Sequence, residues 1–257
     1  MLTLTTEIAR IIREHPDVAV AAIIEPGAVG DIVVNSDMKA CDQKATSYRE
    51  GIVYALKALN LDNVMLYLDA AHGGVLGWRE NVCRCAHLKE KKEIQTDMPQ
   101  VPAKKELTNL YEQAGRPKQF RGFATNVANY NGWDLSPGEF ESTRETPPNK
   151  GRNEKSFVEL IATQLANASV PNHAITDTSR SAVQGLRVDW GSWCNVNGAG
   201  FGIRPTNKTG NKFLDAFVWA KNGGISDGTT DVMDAHYDSF CGRRDGEYQT
   251  IQLSGQM

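Results

Sequence analysis

The sequence predicts an α/β fold built on a parallel sheet. Two observations predict it. Short apolar runs alternate along the chain with stretches of helical periodicity, the pattern of parallel strands joined by right-handed helical crossovers. Each run also ends in polar, often Gly-rich sequence, and parallel sheets bind their ligands at that carboxyl edge. A length of 257 residues corresponds to one large domain or two small ones. No internal repeat is visible.

The elements follow in order. Leu4, Ile8, Ile11 and Ile12 line one side of an opening helix that also carries Glu7, Arg10, Arg13 and Glu14. Val18 to Ile24 reads as a strand, apolar on both faces as a buried parallel strand is, and it ends at Glu25-Pro26-Gly27. Tyr48, Ile52, Val53, Leu56 and Leu59 line a helix face, and Val64 to Leu68 is a strand ending at Asp69. Leu107, Leu110 and Tyr111 mark a helix closed by Gly115 and Pro117. Phe123 to Val127 is a strand ending near Asn129. A helix carries Phe157, Leu160, Ile161 and Leu165, and a short strand, Ala174 to Thr176, ends at Asp177. Phe213 to Lys221 closes the series. Four consecutive strands thus end in Glu, Asp, Asn and Asp, which favours one shared site over four unrelated loops.

Two stretches break the rhythm. Asp134 to Arg152, rich in Pro, Ser, Thr, Glu and Gly, reads as a long surface loop. Residues 83–100 have no apolar period, contain Lys89-Glu-Lys-Lys-Glu93, and read as a solvated insertion.

Composition excludes several classes. A net charge of −3 and a pI near 6.0 leave no basic excess to neutralise phosphates, so no nucleic-acid partner is expected. No apolar run is long enough to span a membrane. The opening residues lack a basic segment followed by an apolar one, so no signal peptide is read. The five cysteines are Cys41, Cys83, Cys85, Cys194 and Cys241, an odd number that leaves at least one thiol without an internal partner. Cys83-Arg84-Cys85 lacks zinc-site spacing, and no metal or other cofactor is expected. Two sequons, Asn167-Ala-Ser169 and Asn207-Lys-Thr209, mildly favour a secreted protein. Gly198-Ala-Gly-Phe-Gly202 does not open a helix with dinucleotide-binding spacing and runs into Ile203-Arg-Pro205, which argues against a dehydrogenase.

Three strings go beyond composition: Tyr67-Leu-Asp-Ala-Ala-His-Gly-Gly-Val-Leu-Gly-Trp78, Arg121-Gly-Phe-Ala-Thr-Asn-Val-Ala-Asn-Tyr-Asn131, and Trp190-Gly-Ser-Trp-Cys-Asn-Val-Asn-Gly-Ala-Gly-Phe-Gly-Ile-Arg-Pro205. Asp177-Thr-Ser-Arg-Ser181 and Trp219-Ala-Lys-Asn-Gly-Gly-Ile-Ser-Asp-Gly228 stand around the third in order. Together they resemble glycoside hydrolase family 6, the cellobiohydrolase II type of fungal cellulase, from about Glu7 to Cys241. The resemblance implies a distorted TIM-like parallel barrel of about seven strands, one catalytic domain over residues 1–257, and no cellulose-binding module. It implies hydrolysis of β-1,4-glucan or cello-oligosaccharides with inversion, a chemistry that needs two carboxyl groups on opposite sides of the scissile bond. A secreted monomer is expected.

The match also assigns residues. Asp69 and Asp227 fall on the family's acidic site positions. His72, Trp78, Asn129, Arg180, Trp193 and Lys221 fall on sugar-contacting or site-shaping positions. Taken alone, Trp78 could be core, His72 a helix cap and Lys221 a surface charge. Cys194 and Cys241 match a family disulfide, and Cys41 matches a cysteine whose partner lies in a segment that precedes the opening helix in the family.

The departures carry equal weight. The family has Glu-Pro-Asp at the end of its second strand, and that Asp is the general acid; here the string is Glu25-Pro26-Gly27. Loss of a positioned acid costs about 10²–10⁴-fold. Neighbours on a strand point to opposite faces, so Glu25 is not expected to replace it. Val75 stands for a sugar-stacking Trp, Ile225 for an acidic residue and Ala182 for a Gly. The family's first barrel strand and its loop Asp have no counterpart, so the barrel is expected to be open beside Val18–Ile24. Two functions are therefore weighed: a β-1,4-glucanase of the family, weakened by Gly27, and a non-catalytic cello-oligosaccharide-binding or degenerate member.

Overall fold

Five parallel strands form one sheet in chain order: β1 (Val20–Ile24), β2 (Val64–Asp69), β3 (Phe120–Thr125), β4 (His173–Asp177) and β5 (Leu214–Val218). The computed structural model describes residues 2–35, 39–77, 102–134, 149, 151–187, 194, 196, 198–222, 229, 231–235 and 237. Among the described residues six helices connect or flank the strands: α1 (Leu2–Glu14), α2 (Ala28–Val34), α3 (Lys39–Ala58), α4 (Gly73–Leu76), α5 (Pro102–Gln113) and α6 (Glu154–Ala166). The sheet curls into half of a parallel barrel.

Strand alternation gives the sheet two different faces. Leu66, Leu68, Phe123, Ala174, Leu214 and Phe217 point outward into the main core, against Ile52 and Leu56 of α3, Leu107 and Leu110 of α5, and Phe157, Ile161 and Leu165 of α6. Tyr67, Ala124 and Ile175 line the concave face with the partly buried Ile23, Ala216 and Val218. Lower on the same face a polar cluster ties β2 to β5. Asp215 accepts from Tyr67 Oη at 2.9 Å and from Arg121 Nε and Nη2 at 2.8 and 2.9 Å, and His173 Nδ1 lies 2.9 Å away.

The strand expectations hold with shifted ends. β3 starts at Phe120, three residues before the expected Phe123, and ends at Thr125. Arg121 and Gly122, ahead of the expected start, lie within the strand. Gly122 has φ 148°, and a Cβ there would lie 1.9 Å from the His173 carbonyl oxygen on β4. Only glycine lets the two backbones approach so closely. α2 follows Gly27 directly and has no counterpart in the expected series; its seven residues are too short for a periodic signal.

The opening helix forms as expected but turns differently. Thr5 and Ala9 are buried and Ile12 packs on the core, whereas Leu4, Ile8 and Ile11 are 66%, 40% and 45% exposed. α1 is held to α3 by polar contacts as well, Thr6 Oγ1 to Tyr54 Oη at 2.6 Å and Arg13 Nη2 to the Ala58 carbonyl at 3.5 Å. Among the described residues β1 pairs only with β2. Tyr248–Leu253, the segment whose pairing with β1 would close that edge, lies outside the described residues, as does the expected insertion at 83–100. At the other edge an antiparallel bridge from Thr206 to Phe217 covers part of β5.

No helix among the described residues is long and apolar enough to cross a membrane. No group of three or more His, Cys, Asp or Glu among them could hold a metal ion.

Candidate active site

The carboxyl ends of the strands converge on a cluster of buried polar side chains. Asp69, the last residue of β2, is 1% exposed. Its Oδ2 accepts from the backbone N–H of Gly27 at 2.6 Å and of Ala71 at 3.3 Å. Its Oδ1 is buried and has no hydrogen-bond partner among the described residues. Burial raises its pKa to about 7, against the two N–H bonds that lower it, and the carboxylates of Glu154 and Asp177 raise it further.

Gly27, at the end of β1, faces that carboxylate only through its backbone. It precedes α2 in the left-handed region at φ 86°, and a Cβ built on it meets nothing within 4 Å. The position that the resemblance assigns to the general acid therefore has space for a side chain and carries none.

Asp177 ends β4 and is 2% exposed. Its Oδ2 accepts from the N–H groups of Ala128 and Lys221 at 3.1 and 3.0 Å, and its Oδ1 from Ser179 at 2.9 Å. One carboxylate thus fixes the loops after β3, β4 and β5. Lys221 reaches the site through its backbone in this contact.

His72 sits at the N-cap position of α4 but makes no side-chain cap bond, so the capping alternative fails. Its ring instead bridges the loop after β3: Nε2 lies 2.9 Å from Asn129 Nδ2, and Nδ1 lies 3.1 Å from Asn131 Nδ2. Part of the residue is exposed, yet the ring nitrogens lie within this network. Burial lowers the His72 pKa to about 3, and the Arg187 charge lowers it further, so the ring is neutral. Asn131 Oδ1 accepts from Arg187 Nη2 at 2.8 Å, and Asn131 Nδ2 donates to Glu154 Oε1 at 2.8 Å. Glu154 opens α6 behind the Asn153 cap, is fully buried, and also accepts from the Gly73 N–H at 3.0 Å. Burial raises its pKa to about 7, against hydrogen bonds from Asn131 and Gly73. Arg180 lies with its guanidinium carbon 4.3 Å from the centre of the Tyr130 ring.

The structure therefore brings Asp69, His72, Asn129 and the Lys221 backbone to one region and stacks Arg180 on its Tyr130 wall. Trp78, Trp193 and Asp227 lie outside the described residues. Cys194 is disulfide-bonded, and Cys241 lies outside the described residues. The strand-end pattern counts Asp177 toward a shared site, whereas Asn131, Glu154 and Arg187 receive no site role from the sequence. The signal for Asp177 was its strand-end position. That for Glu154 was the Asn153-Glu154 cap preceding an apolar helix.

The family model for glycosyl hydrolases family 6 matches residues 3–252. A 1,4-beta-D-glucan cellobiohydrolase, CEL6C, of Podospora anserina is 50% identical over 93% of this chain and 55% of its own length. Exoglucanase-6A of Humicola insolens is 40% identical over 93% of this chain and 46% of its own length. The catalytic core domain of the cellobiohydrolase Cel6A from Chaetomium thermophilum superposes with a TM-score of 0.82 at 38% identity, covering 99% of this chain and 65% of that one. Cellobiohydrolase II (Cel6A) from Humicola insolens, solved in complex with glucose and cellotetraose, gives the same TM-score of 0.82. The chain spans about half the length of these curated relatives. Motif order, the half-barrel and these matches agree, and the chain belongs to glycosyl hydrolase family 6.

Proposed function

We propose that the chain binds cello-oligosaccharides at the carboxyl edge of its half-barrel and hydrolyses their β-1,4 bonds, by inversion, only slowly. The relatives are named as cellobiohydrolases and exoglucanases, and one related structure holds cellotetraose. The polar cluster of Asp69, His72, Asn129 and Asp177 offers the hydrogen-bonding groups that sugar hydroxyls need. Trp78, Trp193, Asp227 and the Lys221 side chain belong to the same reading through the family match.

The observation that carries the slow half is Gly27. Inversion protonates the leaving oxygen and activates water in a single step, with no covalent intermediate to divide the barrier. At position 27 only an N–H faces Asp69, at 2.6 Å. Asp69 is the neighbouring described carboxyl that carries a proton near neutral pH, and it is itself held by that N–H. Residual turnover then depends on Asp69.

The test is Gly27→Asp. The open space accommodates the side chain, while the positive φ costs roughly 1–2 kcal/mol of stability. Hydrolysis of cellotetraose is expected to rise at least about 10-fold, given a normal contribution of 10²–10⁴ from a positioned acid. Binding, measured by calorimetry, should change little. Wild-type turnover equal to that of an intact relative would sink the proposal, as would a folded Gly27→Asp protein no faster than wild type.

A further inference from the structure

The two sequons of the chain are held in different ways. Asn167 is exposed and caps the C-terminus of α6 in helical backbone, with φ −64° and ψ −17°. Its N–H donates to the Thr163 carbonyl at 3.3 Å, so that turn closes on residues synthesised before it. Asn207 is exposed in a segment outside any helix.

Residues 206–209 run along the flank of β5 that faces away from β4. Thr206 and Phe217 exchange both backbone hydrogen bonds there, at 3.1 and 2.9 Å, in an antiparallel bridge. At the other end of the strand the Thr209 hydroxyl donates to the Leu214 carbonyl at 2.8 Å. The segment therefore descends from near the carboxyl end of β5 to its start, and the chain around Asn207 leads away from the carboxyl edge.

The half-buried Thr209 hydroxyl makes two further bonds. It donates to the Asn211 carbonyl at 3.2 Å and accepts from the Asn211 N–H at 3.3 Å. Both partner residues follow it in the chain, and Leu214 opens a strand that must pair with β4. That hydroxyl is uncommitted until β5 has been made and docked. Asn167, by contrast, is drawn into its helix as soon as α6 closes.

A sequon is read through its asparagine amide and the hydroxyl two residues on, in backbone that is not helical. Asn207-Lys208-Thr209 meets these terms, with no proline at its centre. Its hydroxyl also sits on a β-branched side chain, stiff at χ1, whereas Asn167 depends on Ser169.

We propose that Asn207, in preference to Asn167, is the asparagine of this chain that receives an N-linked oligosaccharide, and that Thr209 serves twice, first as the sequon hydroxyl and then as the fastener of the turn into β5. The oligosaccharide arrives on a polyisoprenoid pyrophosphate in the membrane of a secretory compartment. Asn207 Nδ2 forms a bond to its anomeric carbon as the bond from that carbon to the pyrophosphate oxygen breaks. The electron pair leaves with the pyrophosphate, the amide gives up one proton, and nothing is oxidised or reduced. The modification is independent of the hydrolysis proposed above.

The experiment expresses the full chain behind a secretory leader in yeast. N-glycans are released enzymatically in ¹⁸O water, which converts each asparagine that carried one to a labelled aspartate, and peptide mass spectrometry locates the label. It is expected at position 207 in most molecules and at 167 in few. Label confined to 167, equal labelling of both positions, or no label overturns the proposal.

Two variants test the double role of Thr209, compared with wild type after glycan removal. Asn207→Gln is expected to lose the label and melt with the wild type. Thr209→Ala is expected to lose the label and to melt about 2–4 °C lower, the effect of one lost hydrogen bond in a chain of this size. A Thr209→Ala protein that melts with the wild type, or that keeps the label at 207, overturns the double role. The wild-type map decides which asparagine is used even if that variant does not fold.

Discussion

Buried titrating side chains set how the molecule responds to acid. Asp69 and Glu154 both titrate near 7 in the folded chain, raised first by burial. A raised carboxyl holds its proton in the folded state where the unfolded chain has lost it. Its contribution is fully present below the unfolded pKa, near 4, and is lost as pH rises through about 7. His72 acts in the opposite sense. Its pKa is lowered to about 3, so stability falls as pH drops below its unfolded value near 6.5. Between about 5 and 7 two carboxyls oppose one imidazole, and the carboxyls win. The melting temperature is expected to be higher at pH 5.5 than at pH 8, and Glu154→Gln should flatten that slope. A melting temperature that rises from pH 5.5 to pH 8 in the wild type would contradict the assignment.

The residue scale is also where the sequence was legible in part. Asp69, His72 and Asn129 stand inside long motifs, so their site was readable before any coordinates. Asn131 closes one of those motifs and Asp177 ends a strand, so their positions were legible but their bonds were not; Glu154 and Arg187 were not legible, because their roles arise through space. Asn131 meets Glu154 across the long stretch that the sequence shows only as a surface loop, and nothing local marks Arg187 as the donor that orients an amide.

At the level of elements, the strands were read correctly because each is a short apolar run with polar ends. The face of α1 was not. Its apolar residues announce a helix, but which of them turn inward depends on a neighbour, and α3 receives Thr5, Ala9 and Ile12 on its side. Leu4, Ile8 and Ile11 remain exposed, together with Val18 at 49%. β1 beside them is Val-Ala-Ala-Ile-Ile, with no charge or proline to block another strand. Concentration-dependent aggregation is expected on that account. Ala21→Lys places a charge on an exposed position of β1 and should reduce light scattering at fixed concentration without lowering the melting temperature. Scattering unchanged by the substitution would move the source of aggregation elsewhere.

The cluster centred on Asp215 belongs to the same scale, since it binds four strands through one carboxylate. Arg121 holds both oxygens, and the carboxyl lies below its usual range: burial raises it, but hydrogen bonds from Arg121 and Tyr67 outweigh that. Asp215→Ala leaves the Tyr67 hydroxyl and the Arg121 guanidinium without this acceptor. Hydrogen bonds to a charged group contribute about 1.5–3 kcal/mol, and the partly exposed guanidinium recovers some of this from water, so a loss of roughly 2 kcal/mol is expected by urea denaturation. A loss below about 0.5 kcal/mol, the range of ordinary surface substitutions, would show the cluster to be incidental.

For the whole molecule, the strand order in space equals the strand order in the chain, β1 through β5. Every pairing is therefore made between one strand and the next to be synthesised, with a single crossover to close each time. No strand among the described residues waits for a distant partner, which keeps the entropic cost of each step to that of one connection. As the chain leaves the ribosome, β2 can dock on β1 before β3 exists, and each later strand finds a finished template. The site is completed in the same sequence: Gly27 and Asp69 meet at the first pairing, Asn129 and His72 at the second, and Asp177 then locks the loops above them. Assembly by successive addition thus places the chemistry of the cluster under a temporal order that the final coordinates record only as adjacency.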